Sequence, residues 1–362
     1  MVYWIIAGIT VIIALVLFFK GFLNNKQEQG FARALIASGL GLVAGSFGST
    51  LNEVIQAIAI IKNSKTAQDS INITNEMSQT NYPELVTGII LVLGGVYFLQ
   101  YVKKKLYILN INGYEDKRIE GHNQDVRLGS FEFKERDIDF IRLYRKGVNA
   151  DSAKEIIQIL QEKVKSFKDE STEFKRGYTG IAPIPFVMMA GTFLAKERID
   201  EYLEFDKKET QKYYRLVKGN DFPPLQITDF NTINQNAEDV VIAITLTTKI
   251  TNADLSQFNG FPVVRVSVPT PQDNVIRYKQ QLIEYKSKIA DLIEDIGANL
   301  PLLKRVHVCC ASQSCLVLEL GKEIDNRRMQ QVISYHFYAQ GQHRYPWGIV
   351  INGHEKGKLI QA

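Results

Sequence analysis

Cysteine and histidine are scarce in this chain of 362 residues, and each scarcity excludes something. The three cysteines, Cys309, Cys310 and Cys315, crowd into one apolar segment, so a disulfide framework is excluded and a reducing compartment is preferred. The five histidines, His122, His307, His336, His343 and His354, are scattered without an H-E-x-x-H pattern. Cys309 and Cys315 cannot by themselves supply four zinc ligands, so no metal site is expected. His307 sits in an apolar run and reads as a core residue. Neither G-x-x-x-x-G-K-[ST] nor G-x-G-x-x-G occurs, which leaves out the common phosphate loops. Glu132, Lys134, Asp137 and Asp139 form a charge run of the kind that usually faces solvent, and no catalytic residue is expected. Cofactors are expected to be none.

Charge is missing altogether from three stretches, Val2–Phe19, Ala34–Asn52 and Leu85–Val102. At 1.5 Å of rise per residue, 18 helical residues reach roughly 27 Å, close to the ~30 Å of hydrocarbon that a spanning helix must match. Residues 1–102 therefore read as a transmembrane region of three helices. With no ionisable residue inside them, a charge-lined ion path or proton relay is poorly supported. Val2–Phe19 lacks a basic leader and has Lys20 where small cleavage-site residues would stand, so it reads as an anchor and not a removed signal. Lys103, Lys104 and Lys105 follow the third stretch, and Lys20, Lys26 and Arg33 separate the first two. Basic flanks stay in the cytoplasm, which places the N-terminus and the Glu53–Glu84 connection outside and the rest of the chain inside. Gly41 and Gly45 form a small-xxx-small pair in the second stretch; it serves packing either within the chain or between copies.

The net charge of +4 lies wholly beyond residue 102, where 38 basic residues face 34 acidic ones. That balance is too mild for tracking along nucleic acid, yet it suits a small anionic ligand in a local pocket. Residues 103–129, polar and holding Gly113 and Gly121, read as a linker or short hairpin before a lobe spanning 130–361. Asp151–Phe167 is an amphipathic helix behind a Ser152-x-x-Glu155 capping box. Val240–Thr245 and Val263–Val268 read as strands, and Ile276–Ile296 as a second long helix. Then Arg305–Cys310, Gln313–Ile324, Val332–Tyr338 and Trp347–Ile351 alternate as strand, helix, strand, strand. Such alternation predicts an α/β class with a largely parallel sheet.

The chain also repeats itself faintly. Gly180–Phe186 opens an apolar run ending at Gly191, followed by Tyr202–Phe205 and Tyr213–Val217; Cys310–Cys315 opens another ending at Gly321, followed by Val332–Tyr338 and Trp347–Ile351. Each unit is a small-residue loop, an apolar helix, a glycine and two aromatic-bearing strands, which suggests paired Rossmann-like halves. The loops Tyr178–Pro185 and Ala311–Ser314 lead into helix starts, where free N–H groups and the dipole suit a phosphate; Pro183, Pro185 and Ser312 are equally ordinary helix-start residues. In open α/β sheets ligands gather at the carboxyl ends of strands, where these loops fall.

Arg176–Val217, with RGYTGIAPIPFVMMAGTFL and YLEFDKK, and Arg305–Ile351, with RVHVCCASQSCLVLELGKEI and HRYPWGIVI, resemble the SAVED domain. That family comprises two fused CARF-like Rossmann-type units and occurs in effectors of CBASS antiphage defence. The resemblance implies binding of a cyclic oligonucleotide made by a partner nucleotidyltransferase, met only through its product. Carried over residue by residue, ligand binding would fall to Tyr178, Thr179, Ala182, Pro183, Ile184 and Phe186 in the first loop, and Ala311, Ser312, Gln313 and Ser314 in the second. Tyr338, Arg344 and Tyr345 would join them. Many members carry an endonuclease where this chain has apolar stretches, so no action on DNA is inherited.

The resulting expectation is a non-enzymatic effector of the bacterial inner membrane: occupied lobes self-associate and the gathered helices disrupt the lipid bilayer, causing abortive infection. Two alternatives stay open, a membrane-tethered phosphodiesterase for cyclic nucleotides and a passive sensor that recruits another effector.

Overall fold

The structure, a computed structural model, describes residues 2–23, 27–46, 81–114, 121–128, 133–325, 327–340 and 343–361. It divides into Met1–Lys105 with Thr172–Phe174, and Leu106–Ser171 with Lys175–Ala362.

Among the described residues the first unit holds three helices, α1 (Val2–Leu23), α2 (Gln27–Ser46) and α3 (Tyr82–Lys104). Among the described residues one helix, α3, is long and apolar enough to cross a bilayer by length and composition; the described apolar run of α1, Ile9–Gly21, is shorter. The second expected stretch begins earlier than read, at Gln27, and its residues 47–52 lie outside the described residues, as does most of the Glu53–Glu84 connection. Large apolar side chains point outward, Ile12, Ile90 and Leu93 each more than half exposed. Contact between the helices is made by glycine. A Cβ on Gly39 would stand 2.7 Å from the Gly88 carbonyl oxygen, and one on Gly41 2.1 Å from the Thr10 methyl. Gly41 is therefore committed to packing within the chain.

Among its described residues the second unit contains two sheets. The first has the order β2-β1-β3-β4-β5: β1 (Leu106–Asn112), β2 (Phe133–Asp139), β3 (Lys175–Ile181), β4 (Glu201–Phe205) and β5 (Tyr213–Arg215), parallel except for β5. Strand β1 corrects the linker reading of 103–129, because it is buried along its whole length between β2 and β3. Its polar appearance comes from Asn110 and Asn112, whose amides donate to Glu135 (2.5 Å) and Asp137 (2.9 Å) on β2. Paired in this way, the two amides are buried at little cost. A short helix, α4 (His122–Asp125), and a single turn, α5 (Ile141–Arg145), precede the crossover α6 (Ala150–Glu170). That helix buries Ala153, Ile156, Leu160, Val164 and Phe167, the periodic face read from the sequence. Its cap is Asn149 and not Ser152: the Asn149 side chain accepts from Ser152 N–H (2.9 Å), and Ser152 Oγ accepts from Asn149 N–H (2.9 Å).

The second sheet has the order β12-β11-β10-β9-β7-β8-β6, from β6 (Gln226–Thr228), β7 (Asp239–Thr245), β8 (Val263–Ser267), β9 (Arg305–Ala311), β10 (Gln331–His336), β11 (Trp347–Val350) and β12 (Leu359–Gln361). Two sheets thus correspond to the paired halves expected. Helix α7 (Ile184–Leu194) follows β3; α8 (Lys279–Asn299) is the crossover into β9; α9 (Ser314–Glu323) follows β9.

The repeat is real and longer than it read. Strand β3, its two-residue link and the start of α7 map onto β9, its link and the start of α9 at a constant offset of 130 residues. The order 2-1-3-4-5 recurs as 8-7-9-10-11 with the same parallel and antiparallel neighbours. Gly191 and Gly321 are equivalent under that offset, and so are Met188 and Leu318. A Cβ on Gly191 would stand 2.2 Å from the Leu318 carbonyl oxygen, and one on Gly321 2.0 Å from that of Met188. Reciprocal contact of equivalent positions is the signature of a two-fold axis, here passing between α7 and α9.

Candidate ligand cleft at the strand ends

Strand order reverses beside β1 and β3 in one sheet and beside β7 and β9 in the other, the switch points at whose carboxyl ends α/β sheets bind ligands. The amino ends of α7 and α9 meet there around a cleft of about 260 Å³. Ile181, Ala182 and Ile184 line it from the first half, and Thr247, Ser312, Gln313 and Ser314 from the second. Glu204, Phe205 and Lys207 at the end of β4, Asp273 and Asn274 on the loop before α8, and Tyr114 after β1 complete its walls.

Its polar groups are mostly fixed. The buried Gln313 accepts from Ile276 N–H through Oε1 (2.6 Å), while its Nε2 donates to the Ile276 carbonyl (3.0 Å) and to Tyr214 Oη (2.7 Å). The Tyr214 hydroxyl donates in turn to Asn274 (3.2 Å), and the Arg277 guanidinium lies over its ring at 4.3 Å. Tyr178, fully buried beneath the cleft, shares a 2.5 Å hydrogen bond with Ser314 Oγ, tying the first half to the start of α9. Burial pushes the Tyr178 phenol up, so it is neutral. Among the described residues Ser312 Oγ is buried without a hydrogen-bond partner. An orphaned hydroxyl in a cleft wall is what an absent polar ligand would leave behind.

Glu204 Oε1 accepts from the N–H of Cys315, in the first turn of α9, at 2.7 Å. Burial lifts this carboxyl to about 7, an effect that the hydrogen bonds from Cys315 and Ser314 only partly oppose. Strand pairing identifies its counterpart in the second half. Glu204 faces Tyr214 across β4 and β5, as His336 faces Trp347 across β10 and β11. Burial lowers His336 to about 4, so it is neutral; its ring stacks on Trp347 at 4.7 Å and meets Tyr144 Oη at 3.0 Å. The helix-start counterparts differ as well: where α9 offers the Cys315 N–H, α7 has Pro185 and no donor.

Of the thirteen residues anticipated from sequence, Ala182, Ile184, Ser312, Gln313 and Ser314 line the cleft, with Tyr178 directly behind Ser314. Thr179 is buried beside Tyr213, and Phe186 is buried between Phe140 and Trp347. The Pro183 carbonyl accepts from Phe186 and Val187, and that of Ala311 from Leu246 and Thr247. Tyr338, Arg344 and Tyr345 are not among the lining residues. Tyr338 is half exposed, Arg344 faces Asp254 at 3.8 Å, and Tyr345 packs in the core against Phe258 and Phe337. Sequence reading missed Glu204. Its signal was a carboxylate in the same register as Tyr202, on the inward face of β4. His307 is the core residue expected, held by Asp239 (2.9 Å) and Tyr335 Oη (3.0 Å).

A family model for SAVED, the SMODS-associated sensor domain fused to various effectors, matches residues 160–351. The chain belongs to the SAVED family. Its two sheets are the fused CARF-like units that the sequence resemblance implied. Among solved structures, the Acinetobacter baumannii Cap4 SAVED/CARF-domain receptor with the cyclic trinucleotide 2′3′3′-cAAA is similar at 11% identity and a TM-score of 0.46, over 82% of this chain and 60% of that one. The same receptor with 3′3′3′-cAAA matches at 12% identity and 0.45, over the same shares. The Moraxella osloensis Cap4 receptor matches at 11% and 0.43, over 91% of this chain and 74% of that one. The SAVED chain thus spans 60% of the length of the Acinetobacter receptor. No curated protein matches the sequence.

Proposed function

We propose that this SAVED chain is a cyclic-oligonucleotide receptor whose occupancy is passed to the membrane, as in CBASS defence. The observation carrying the reading is that both pseudo-symmetric halves contribute a helix start to one cleft holding an unpartnered Ser312 hydroxyl. Phosphodiesters suit helix amino ends, and bases suit the apolar and amide surfaces of Ile184, Phe205 and Asn274. In this reading the lobe is cytoplasmic, α1 to α3 lie in the bacterial inner membrane with the N-terminus outside, and a separate nucleotidyltransferase supplies the ligand. Ligand drives self-association only by binding the assembled state more tightly than the free one, and assembly then concentrates the apolar helices until the bilayer fails.

The full chain in detergent is titrated with cyclic di-, tri- and tetranucleotides, including 2′3′3′-cAAA and 3′3′3′-cAAA, and then reconstituted into dye-filled vesicles. Saturable binding of at least one ring, recovered intact, and leakage only in its presence are expected. Failure of every ring to bind would sink the receptor reading. Equal leakage with and without a bound ring would sink the coupling, and recovery of a linearised ring would make the chain a phosphodiesterase.

A further inference from the structure

The Glu204 carboxylate holds the position at the amino end of α9 that an incoming anion would need. Its Oε1 lies 2.7 Å from the Cys315 N–H, and its side chain lines the cleft together with Ser312 and Ser314. The residue is only 7% exposed, so little water stands between this carboxyl and anything entering. Neutral groups facing it are Tyr178 on β3, Tyr213 and Tyr214 on β5, and the Cys315 thiol on α9, while two charged groups, the Arg277 guanidinium over the Tyr214 ring at 4.3 Å and the Asp206 carboxylate, act on Tyr214. Burial raises all four above their ordinary values, so each is neutral near pH 7. At the rim stand Lys207, which is exposed, and Asp273, which is paired with Lys208 at 2.9 Å. None of the neutral neighbours compensates a second negative charge beside Glu204.

Resting on the receptor reading above, we propose that Glu204 is a proton-linked gate of the cleft: a phosphodiester occupies the amino end of α9 only when this carboxyl is protonated, so binding takes up one proton from solvent. The balance is simple. An ionised Glu204 and a phosphodiester in one low-dielectric site repel; adding a proton to the carboxyl leaves a single negative charge there and frees the helix end to serve the ligand. The carboxyl is already poised at about 7, so the linkage falls in the range a cell visits. It also gives the site a bias against terminal phosphate groups, whose second charge would need a second proton. Linear products of a cleaved ring would then be rejected.

The test uses the full chain in detergent and, as probe, the ring that binds most tightly in the screen described above. For the wild type, Kd should rise by up to tenfold per pH unit above pH 7. Calorimetry in buffers of differing ionisation enthalpy should record uptake of up to one proton per site. Glu204→Gln keeps an acceptor for Cys315 N–H and should bind with the same Kd from pH 6 to pH 9. The calorimetric proton count on the wild type tests the idea even if that variant fails to fold. A wild-type Kd independent of pH, with zero proton uptake, overturns the gate and leaves the receptor reading standing. So does a pH dependence that survives in Glu204→Gln. Failure of the wild type to bind any ring at any pH overturns both.

Discussion

Replacing Gly321 by alanine should separate the two helices that meet on the pseudo-two-fold axis. The new Cβ would lie 2.0 Å from the Met188 carbonyl oxygen and 2.9 Å from its carbon, where ordinary contact begins at 3.4 Å. Both opposing atoms are backbone, so no rotamer change relieves the clash, and α7 and α9 must part by about 1.4 Å. The helices carry fully buried faces, Phe186, Met189 and Ala190 on one and Leu316, Leu318 and Leu320 on the other, and all lose close packing together. Overpacking of a core costs about 1–3 kcal/mol, and a backbone clash at a crossing point belongs at about 3. At roughly 2–4 °C per kcal/mol for a unit of this size, Tm should fall by about 6–12 °C. Gly191→Ala, at 2.2 Å from Leu318 O, should do nearly the same. The double variant should cost much less than the sum, because one widening of the gap accommodates both methyl groups. Thermal unfolding of the full chain in detergent reads all three. A loss under 1 °C for either single variant, or strict additivity in the double, would refute the reciprocal crossing.

The remaining expectations concern the cleft and its surroundings. Folding lifts Glu204 from its ordinary 4.5 to about 7, so the folded chain binds the extra proton and its stability declines as pH rises between those values. Glu204→Gln should therefore be more stable than the wild type at pH 8, by on the order of 3 kcal/mol at most, with the advantage vanishing below pH 4.5, in melts across pH 4 to 8. Ser312→Ala removes an unpartnered hydroxyl, so Tm should hold within about 2 °C while affinity for the ring drops; an unchanged affinity would remove Ser312 from the site. Gln313→Ala leaves the Ile276 N–H without a partner and its C=O with only the 3.4 Å bond from the Tyr214 hydroxyl, and should cost about 2–3 kcal/mol in denaturant melts, alongside loss of ring binding. Tyr338→Ala, on a half-exposed side chain outside the cleft, should leave ring affinity unchanged in the same titration.

Much of this architecture could be read from the chain because it is written in apolar periodicity. The buried faces of α6 and α8 and the runs that became β7 and β9 lie within a few residues of where spacing put them. Strand β1 escaped because its two asparagines are satisfied by carboxylates on β2, a pairing between residues 25 positions apart that no local window contains. The small-residue loops fall at one end of the lobe, since a loop leading from a strand into a helix lies at the strand's carboxyl end. Which side chains face inward there depended on the second half folding onto the first. Tyr345 therefore read as a ligand contact although it fills core, and Glu204 passed for an ordinary strand charge. Gly41 looked available for a second copy until Thr10 of α1 was found against it.

Duplication has left the two halves alike in trace and opposed in chemistry. Beside the cleft one half places an acid and an amide hydrogen, Glu204 and Cys315; the equivalent positions of the other half hold an imidazole and a tertiary amide without a hydrogen, His336 and Pro185, and neither lines the cleft. A guest built from identical repeating pieces would still find unlike surroundings at its two ends, and would be held in a single orientation. Symmetric ancestry thus yields a receptacle with polarity, able to give an unambiguous top and bottom to whatever lodges in it.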